Sequence, residues 1–471
     1  MDDSFRKVGS QERILQEYDC LIIFFCTVLQ KNETKKSHVI SLCWIIFSKL
    51  ARYVQTRMQN LTFRMKEEIS MNAADTGFVL VSAMLVMLMV PALALFYGGL
   101  VASRNVLSTT MHSFVLLGVG ALLWPLVGYT LAFGPDIHGL IGGLENIMLF
   151  GVGKEPLNGG SIPALAFMAF QCMFAALTPA LISGAYAERI HFQAMLLFST
   201  LWLLVVYCPM AHWVWGGGWL MQMGALDFAG GAVVHMSSGS AALAAAIVLG
   251  RRSTMGRRAG LPHNIPMTVL GAGLLWFGWF GFNAGSALAA NGLAANALVT
   301  THLSAGCAIL GWLAVERWHT GHFTVLGAAS GAVAGLVVIT PAAGFVEPWA
   351  AIVMGLLGGA VCYGGIFLKR LFNYDDALDV VGIHGVGGVL GALLTGVFAC
   401  AEVNGVDGLL YGNPHLLWVQ FVSVVATVGF CFPVSFALLK LTDRLVGLRV
   451  PLDKEVTGLD ISEHSESGYQ I

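Results

Sequence analysis

From Thr76 onward the chain is a succession of apolar runs, each near the ~20 residues that a helix needs to cross a bilayer. They fall at about 76–100, 108–132, 162–185, 193–215, 228–250, 265–288, 294–316, 323–343, 348–369, 380–400 and 415–440. Eleven such spans predict an all-α membrane protein, with a transmembrane domain over 71–440 and a polar tail over 441–471. Residues 1–70 read differently. They hold 11 of the 25 Lys and Arg, and their two apolar runs, Leu21–Leu29 and Val39–Phe47, are too short to span. Acids precede the first run and no small-residue cleavage pattern follows it, so a signal peptide fits poorly. The expectation is a start codon placed too early, with translation beginning at Met65 or Met71.

Basic residues orient the spans. Loops after odd-numbered spans, together with the tail, carry 13 Lys and Arg, whereas loops after even-numbered spans carry only Lys154. Positive charge stays on the cytoplasmic side, which places the odd loops and the C-terminus there and residue 71 outside. The basic segment 1–70 would then lie outside, against the rule.

Two histidines interrupt the apolar pattern, His235 early in the fifth span and His384 early in the tenth, with glycines on either side of each. An ionisable group inside a membrane is expensive and usually marks a pathway. Spans 1–5 and 6–10 also match in other ways. Phe96-Tyr97-Gly98-Gly99 in span 1 answers Phe280-Gly281-Phe282-Asn283 in span 6. Five spans per half is an odd number, so the halves are inverted about an axis in the membrane plane, with span 11 added. Such an axis brings the two histidines together near the midplane. A lone helix histidine is often satisfied by a backbone carbonyl; a symmetric pair points instead to a shared proton.

Composition agrees. Hydrophobic residues make up 56% and charged residues 11%, with 57 glycines and a net charge of −2; mean hydropathy is +0.74. Glycine at that level fits close helix contact, as in the Gly327/Gly331/Gly335 and Gly387/Gly391 spacings. The near-zero charge excludes a nucleic-acid partner. Nine scattered cysteines form no ligand spacing, so no metal or disulfide is expected. Spans almost free of carboxylates leave a membrane enzyme without catalytic groups, and no cofactor is implied.

Other candidates carry two readings each. Trp215 precedes Gly216-Gly217-Gly218, where it is either part of an aromatic belt or a ring leaning over a pore mouth to attract a cation. Asp227 before the fifth span is a helix cap, and a carboxylate there can also stabilise a cation. Gly278 to Ser286 alternates aromatic and small residues; core packing is the default, and the Ser286 hydroxyl can accept from a bound ammonium. Phe170 and Phe174 either face lipid or plug a pore.

These residues, with Ala187-Glu188-Arg189, Asp379 to Gly388 and the Gly458 to His464 tail motif, occur in an order that resembles the Amt/Mep/Rh ammonium transporters, closely on the bacterial and plant Amt side. The resemblance covers 71–471. It implies a homotrimer of eleven-helix subunits in the plasma or inner membrane, with one pore per subunit. Trp215, Phe174 and Ser286, with Phe170 alongside, would form an outer ammonium recruitment site supported by Asp227. Phe174 and Phe282 would form a phenyl gate, and His235 and His384 the lumen pair. Ammonium, and methylammonium with it, would be recruited, deprotonated and passed as ammonia. The tail would fold over the cytoplasmic face and receive a PII-type nitrogen-regulatory protein; many members have Gly where Ser465 stands. A sensor that binds without conducting would share this fold but usually appends a soluble signalling domain. A neutral gas channel of the Rh type would lack the Trp215 cage.

Overall fold

The computed structural model describes residues 71–253 and 261–469; the expectations for residues 1–70 lie outside them. Among the described residues, ten helices are long and apolar enough to cross a membrane. They are α1 Ala73–Leu100, α2 Ser103–Phe133, α3 Ala164–Tyr186, α4 Phe192–Gln222, α5 Gly231–Leu249, α6 Ile265–Ala284, α7 Gly292–Thr320, α9 Pro348–Leu371, α10 Val381–Phe398 and α11 Pro414–Val446. The remaining predicted span, the eighth at 323–343, is the shorter α8, Val325–Ile339. Its 15 residues reach only about 22 Å. Pro341 prevents it from running on to residue 343, and the chain turns there instead. It survives as a short span because it is buried along nearly its whole length. Two tail helices follow, α12 Leu452–Thr457 and α13 Leu459–His464. A small hairpin, β1 Asp136–Ile137 against β2 Ile141–Gly142, lies in the long loop after α2; hydropathy gave no sign of it.

Glycine sets the packing. Gly331 and Gly335 of α8 lie against Trp312, Ala308 and Ser304 of α7, where a Cβ would collide. Gly391 of α10 meets the Val338 carbonyl of α8 in the same way. Bare backbones thus let helices approach to van der Waals contact where lipid supplies no hydrophobic drive.

The two ends of the bundle are distinct. One holds the loop ties between Glu188, Arg252 and Asp375 and the docked tail, in which Asp460 accepts from the Leu107 and Ser108 amides at the start of α2. The other holds Trp215 at the far end of α4. Helix α5 therefore starts at the Trp215 end and α10 at the tail end, as an inverted pair requires.

Among the described residues, five helices contain a π-turn, in which one extra residue widens the spiral: Trp124–Gly128, Leu203–Tyr207, Gly231–Met236, Phe280–Ala284 and Val381–Gly385. In the first two, a proline in or just after the turn removes a ladder hydrogen bond. The other three contain no proline, and all three surround the histidines.

Candidate functional site: an aromatic column ending on two histidines

At the start of α5 the first helical amides have no partner within the helix. Asp227 supplies one. Its Oδ1 accepts from Gly230 (2.7 Å) and Gly231 (2.6 Å), and its Oδ2 from Ala232 (2.7 Å) and Val233 (3.3 Å). Gly230 makes the turn with φ +127°, open only to glycine without strain. The carboxylate is thereby committed to backbone, so its link to the neighbouring aromatic site runs through its own carbonyl. That oxygen accepts from Trp215 Nε1 at 2.8 Å and fixes the indole.

Below Trp215 the rings follow one another. Phe174 meets Trp215 edge-on at 6.1 Å between centroids, and Phe170 at 4.9 Å. Phe174 then lies over Phe282 at 4.4 Å, closing the column. Phe282 lies 6.0 Å from His235 in a stacked arrangement. Phe170, Phe174 and Phe282 are fully buried, so none of them faces lipid. Ser286 lies in the turn just after α6, and its hydroxyl donates to the Phe282 carbonyl at 2.9 Å. That bond uses the hydroxyl's proton and leaves its oxygen lone pairs free to accept.

The histidines meet. His235 Nδ1 and His384 Nδ1 are 3.2 Å apart. Only one of the two nitrogens can carry the proton, so one ring donates and the other accepts; the accepting ring must then hold its own proton on Nε2. His235 Nε2 is buried with no hydrogen-bond partner among the described residues. Each histidine occupies a π-turn at the head of its helix. Gly239, one turn after His235, presses backbone to backbone on Gly385, and a Cβ on Gly239 would overlap the Gly385 main chain. The glycines near each histidine are therefore what lets the two helices close.

The pair opens onto a cavity of about 10 Å³, roughly the room one water molecule needs. Its other walls are apolar, among them Phe96, Leu177, Leu275, Trp279 and Val333. Trp279 was not singled out by sequence. It stacks on His235 at 5.4 Å and donates to Thr340 Oγ1 at 2.9 Å. Thr340, just before Pro341, is thus a support for the wall behind His235.

The family whose model matches, described as Ammonium Transporter Family, covers residues 77–469. The chain belongs to the Ammonium Transporter Family. Family membership makes it a multi-pass membrane transporter rather than an enzyme. Among its relatives, the Ammonium transporter of Bacillus subtilis is 54% identical over 404 residues, spanning 85% of this chain and 99% of that one. Ammonium transporter Amt1 of Archaeoglobus fulgidus is 48% identical over 399 residues, 85% of this chain and 100% of the relative. The crystal structure of Saccharomyces cerevisiae Mep2 matches with a TM-score of 0.78 at 37% identity, covering 82% of this chain and 89% of Mep2. The solved structure of a Sensor Amt Protein has the same TM-score at 28% identity, over 83% of this chain and 98% of that one.

Proposed function

We propose that this transporter recruits ammonium at the Trp215 end, strips its proton, and passes ammonia through the histidine-lined lumen to the tail end. The observation that carries the reading is the unbroken column Trp215–Phe174–Phe282–His235–His384, which leads from a half-buried indole into an apolar cavity with two ring nitrogens. The Trp215 and Phe174 rings, with Phe170 behind and the Ser286 oxygen alongside, form a cage whose ring faces attract a cation. Asp227 supports the cage by holding the indole and the start of α5. Phe174 over Phe282 blocks a hydrated ion and must swing aside for a small guest.

Selectivity follows from the walls. Hydrated potassium and sodium would lose their water to an apolar lumen that returns nothing. Ammonium escapes that cost by leaving its proton behind and crossing neutral. The shared Nδ1–H gives the pair one Nε2 donor and one Nε2 acceptor, so ammonia finds a partner and a proton can be handed along. Methylammonium is a further substrate under the same chemistry.

The Trp215 end faces outward and the tail end the cytoplasm of a plasma or inner membrane, with 71–440 as the transmembrane domain, 441–471 as the cytoplasmic tail and 1–70 as an extension outside both. A homotrimer and a PII-type regulator at the tail end complete the reading. A sensor on the same scaffold, the role for which the Sensor Amt Protein is named, would bind ammonium without moving it.

Single replacement of His235 or His384 by Ala tests the relay. The expected result is a changed ratio of charge to ammonia moved, or a potassium current absent from the parent. Equal, selective ammonium currents in both variants would overturn it.

A further inference from the structure

The inverted repeat places a second acid in register with Asp227. Asp227 stands eight positions before His235, and Asp376 stands eight positions before His384. Both cap the π-turn that carries their histidine. Asp376 Oδ2 accepts from the Val381 amide at 2.7 Å, as Asp227 does from the amides that open α5. The resemblance stops there. Asp227 has both oxygens filled by four amides, whereas Asp376, buried to 1% exposure, leaves Oδ1 with no hydrogen-bond partner among the described residues. A buried carboxylate oxygen without a donor is costly as an anion and is relieved by carrying a proton. Its neighbours point the same way. Asp379 faces it from the same loop, although Lys369 at the end of α9 holds Asp379 at 2.6 Å. Tyr97 of α1, Tyr374 of the same loop and Arg189 of the α3–α4 loop also lie within electrostatic reach. Asp375 next to it is taken up by Arg252.

We infer that Asp376 is the tail-side proton-exchange group of the transport cycle, the counterpart at the exit of the deprotonation at the Trp215 end. This rests on the relay proposed above. Asp376 caps the turn that carries His384, and Tyr97, within its field, adjoins Phe96 of the cavity wall. Protonated Asp376 gives its proton to ammonia leaving the lumen: the carboxyl O–H breaks, an N–H forms, and ammonium departs to the tail side. The carboxylate is recharged by the proton handed on from the histidine pair, so none is created or lost. Burial and the Asp379 carboxylate raise the Asp376 carboxyl to about 6, against the pull of Lys369 and the Val381 and Val380 amides. A group poised there both gives and takes a proton near neutral pH.

The test is the ammonium-evoked current of the full chain in proteoliposomes, with pH varied on the tail side alone and internal alkalinisation followed in parallel. Asp376→Asn keeps an acceptor for the Val381 amide but cannot exchange a proton. Its current is expected to fall on the order of 10²-fold, with ammonia entry and thermal midpoint held. Asp376→Glu should restore current with a displaced pH midpoint, which a purely structural cap would not move. Undiminished current and an unchanged pH profile in Asp376→Asn would overturn the assignment. Where that variant fails to fold, an unmoved midpoint in Asp376→Glu overturns it equally. A parent protein without ammonium current defeats the relay and this proposal together, whereas a conducting parent with an indifferent Asp376→Asn defeats the exit role alone.

Discussion

A cation arriving at Trp215 would meet a ring that is already still, because its indole N–H is tied to the Asp227 carbonyl. Replacing Trp215 by Leu removes the ring face and that tie. The expected loss is about 1–2 kcal/mol, read as a roughly tenfold higher ammonium concentration at half-maximal current. Asp227→Asn is expected to act first on folding. An amide nitrogen would face two of the four backbone amides now satisfied, costing about 1–3 kcal/mol and lowering the thermal midpoint in detergent. The two histidines were legible from the chain because a titratable residue in an apolar run has few explanations. Trp279 was not, because it is one of four aromatics within five positions, and an apolar helix gives no polar face to say which of them points inward. The placement of Ser286, whose hydroxyl is occupied by the Phe282 carbonyl, was likewise beyond reach of spacing alone.

Among the described helices, hydropathy located each span, since the bilayer demands a long apolar run of nearly all of them. It overran α8, whose helix stops before Pro341 and depends on burial rather than length. The π-turns left no hydropathy signal. Those at Gly231–Met236, Phe280–Ala284 and Val381–Gly385 add a residue per turn, rotating His235, Phe282 and His384 relative to the rest of their helices. The contact of Gly239 with Gly385 is what permits the 3.2 Å approach of the histidines. Gly239→Val is therefore expected to separate α5 from α10 and abolish transport. Binding at the Trp215 cage, read by tryptophan fluorescence on ammonium addition, should survive. Full transport by that variant would show that the pair need not touch.

Across the protein as a whole, the tail is part of the fold rather than an appendage. Glu463 accepts from the Phe192 amide at the head of α4 and pairs with His191 and Lys454. Burial works to raise its carboxyl, but the Phe192 amide, His191 and Lys454 outweigh it and hold it below the ordinary glutamate value. A depressed carboxyl stabilises the docked state above its unfolded pKa and loses that contribution as pH falls through the folded one. Buried Asp460, shifted upward, works in the opposite sense. Tail docking should thus hold at neutral pH and loosen only below the ordinary glutamate range of about 4.3. Limited proteolysis of the tail should follow that profile, with Glu463→Gln cleaved faster already at neutral pH.

Passage of ammonia rather than an intact cation is best tested by a charge recording on purified protein in proteoliposomes, pulsed first with ammonium and then with potassium. A sustained current is expected with ammonium and none with potassium, since only ammonium can split into neutral ammonia, which crosses the apolar lumen, and a proton, which the histidines hand along to carry the charge. Equal currents from both ions would contradict this, because the column from Trp215 to His384 would then be passing intact cations.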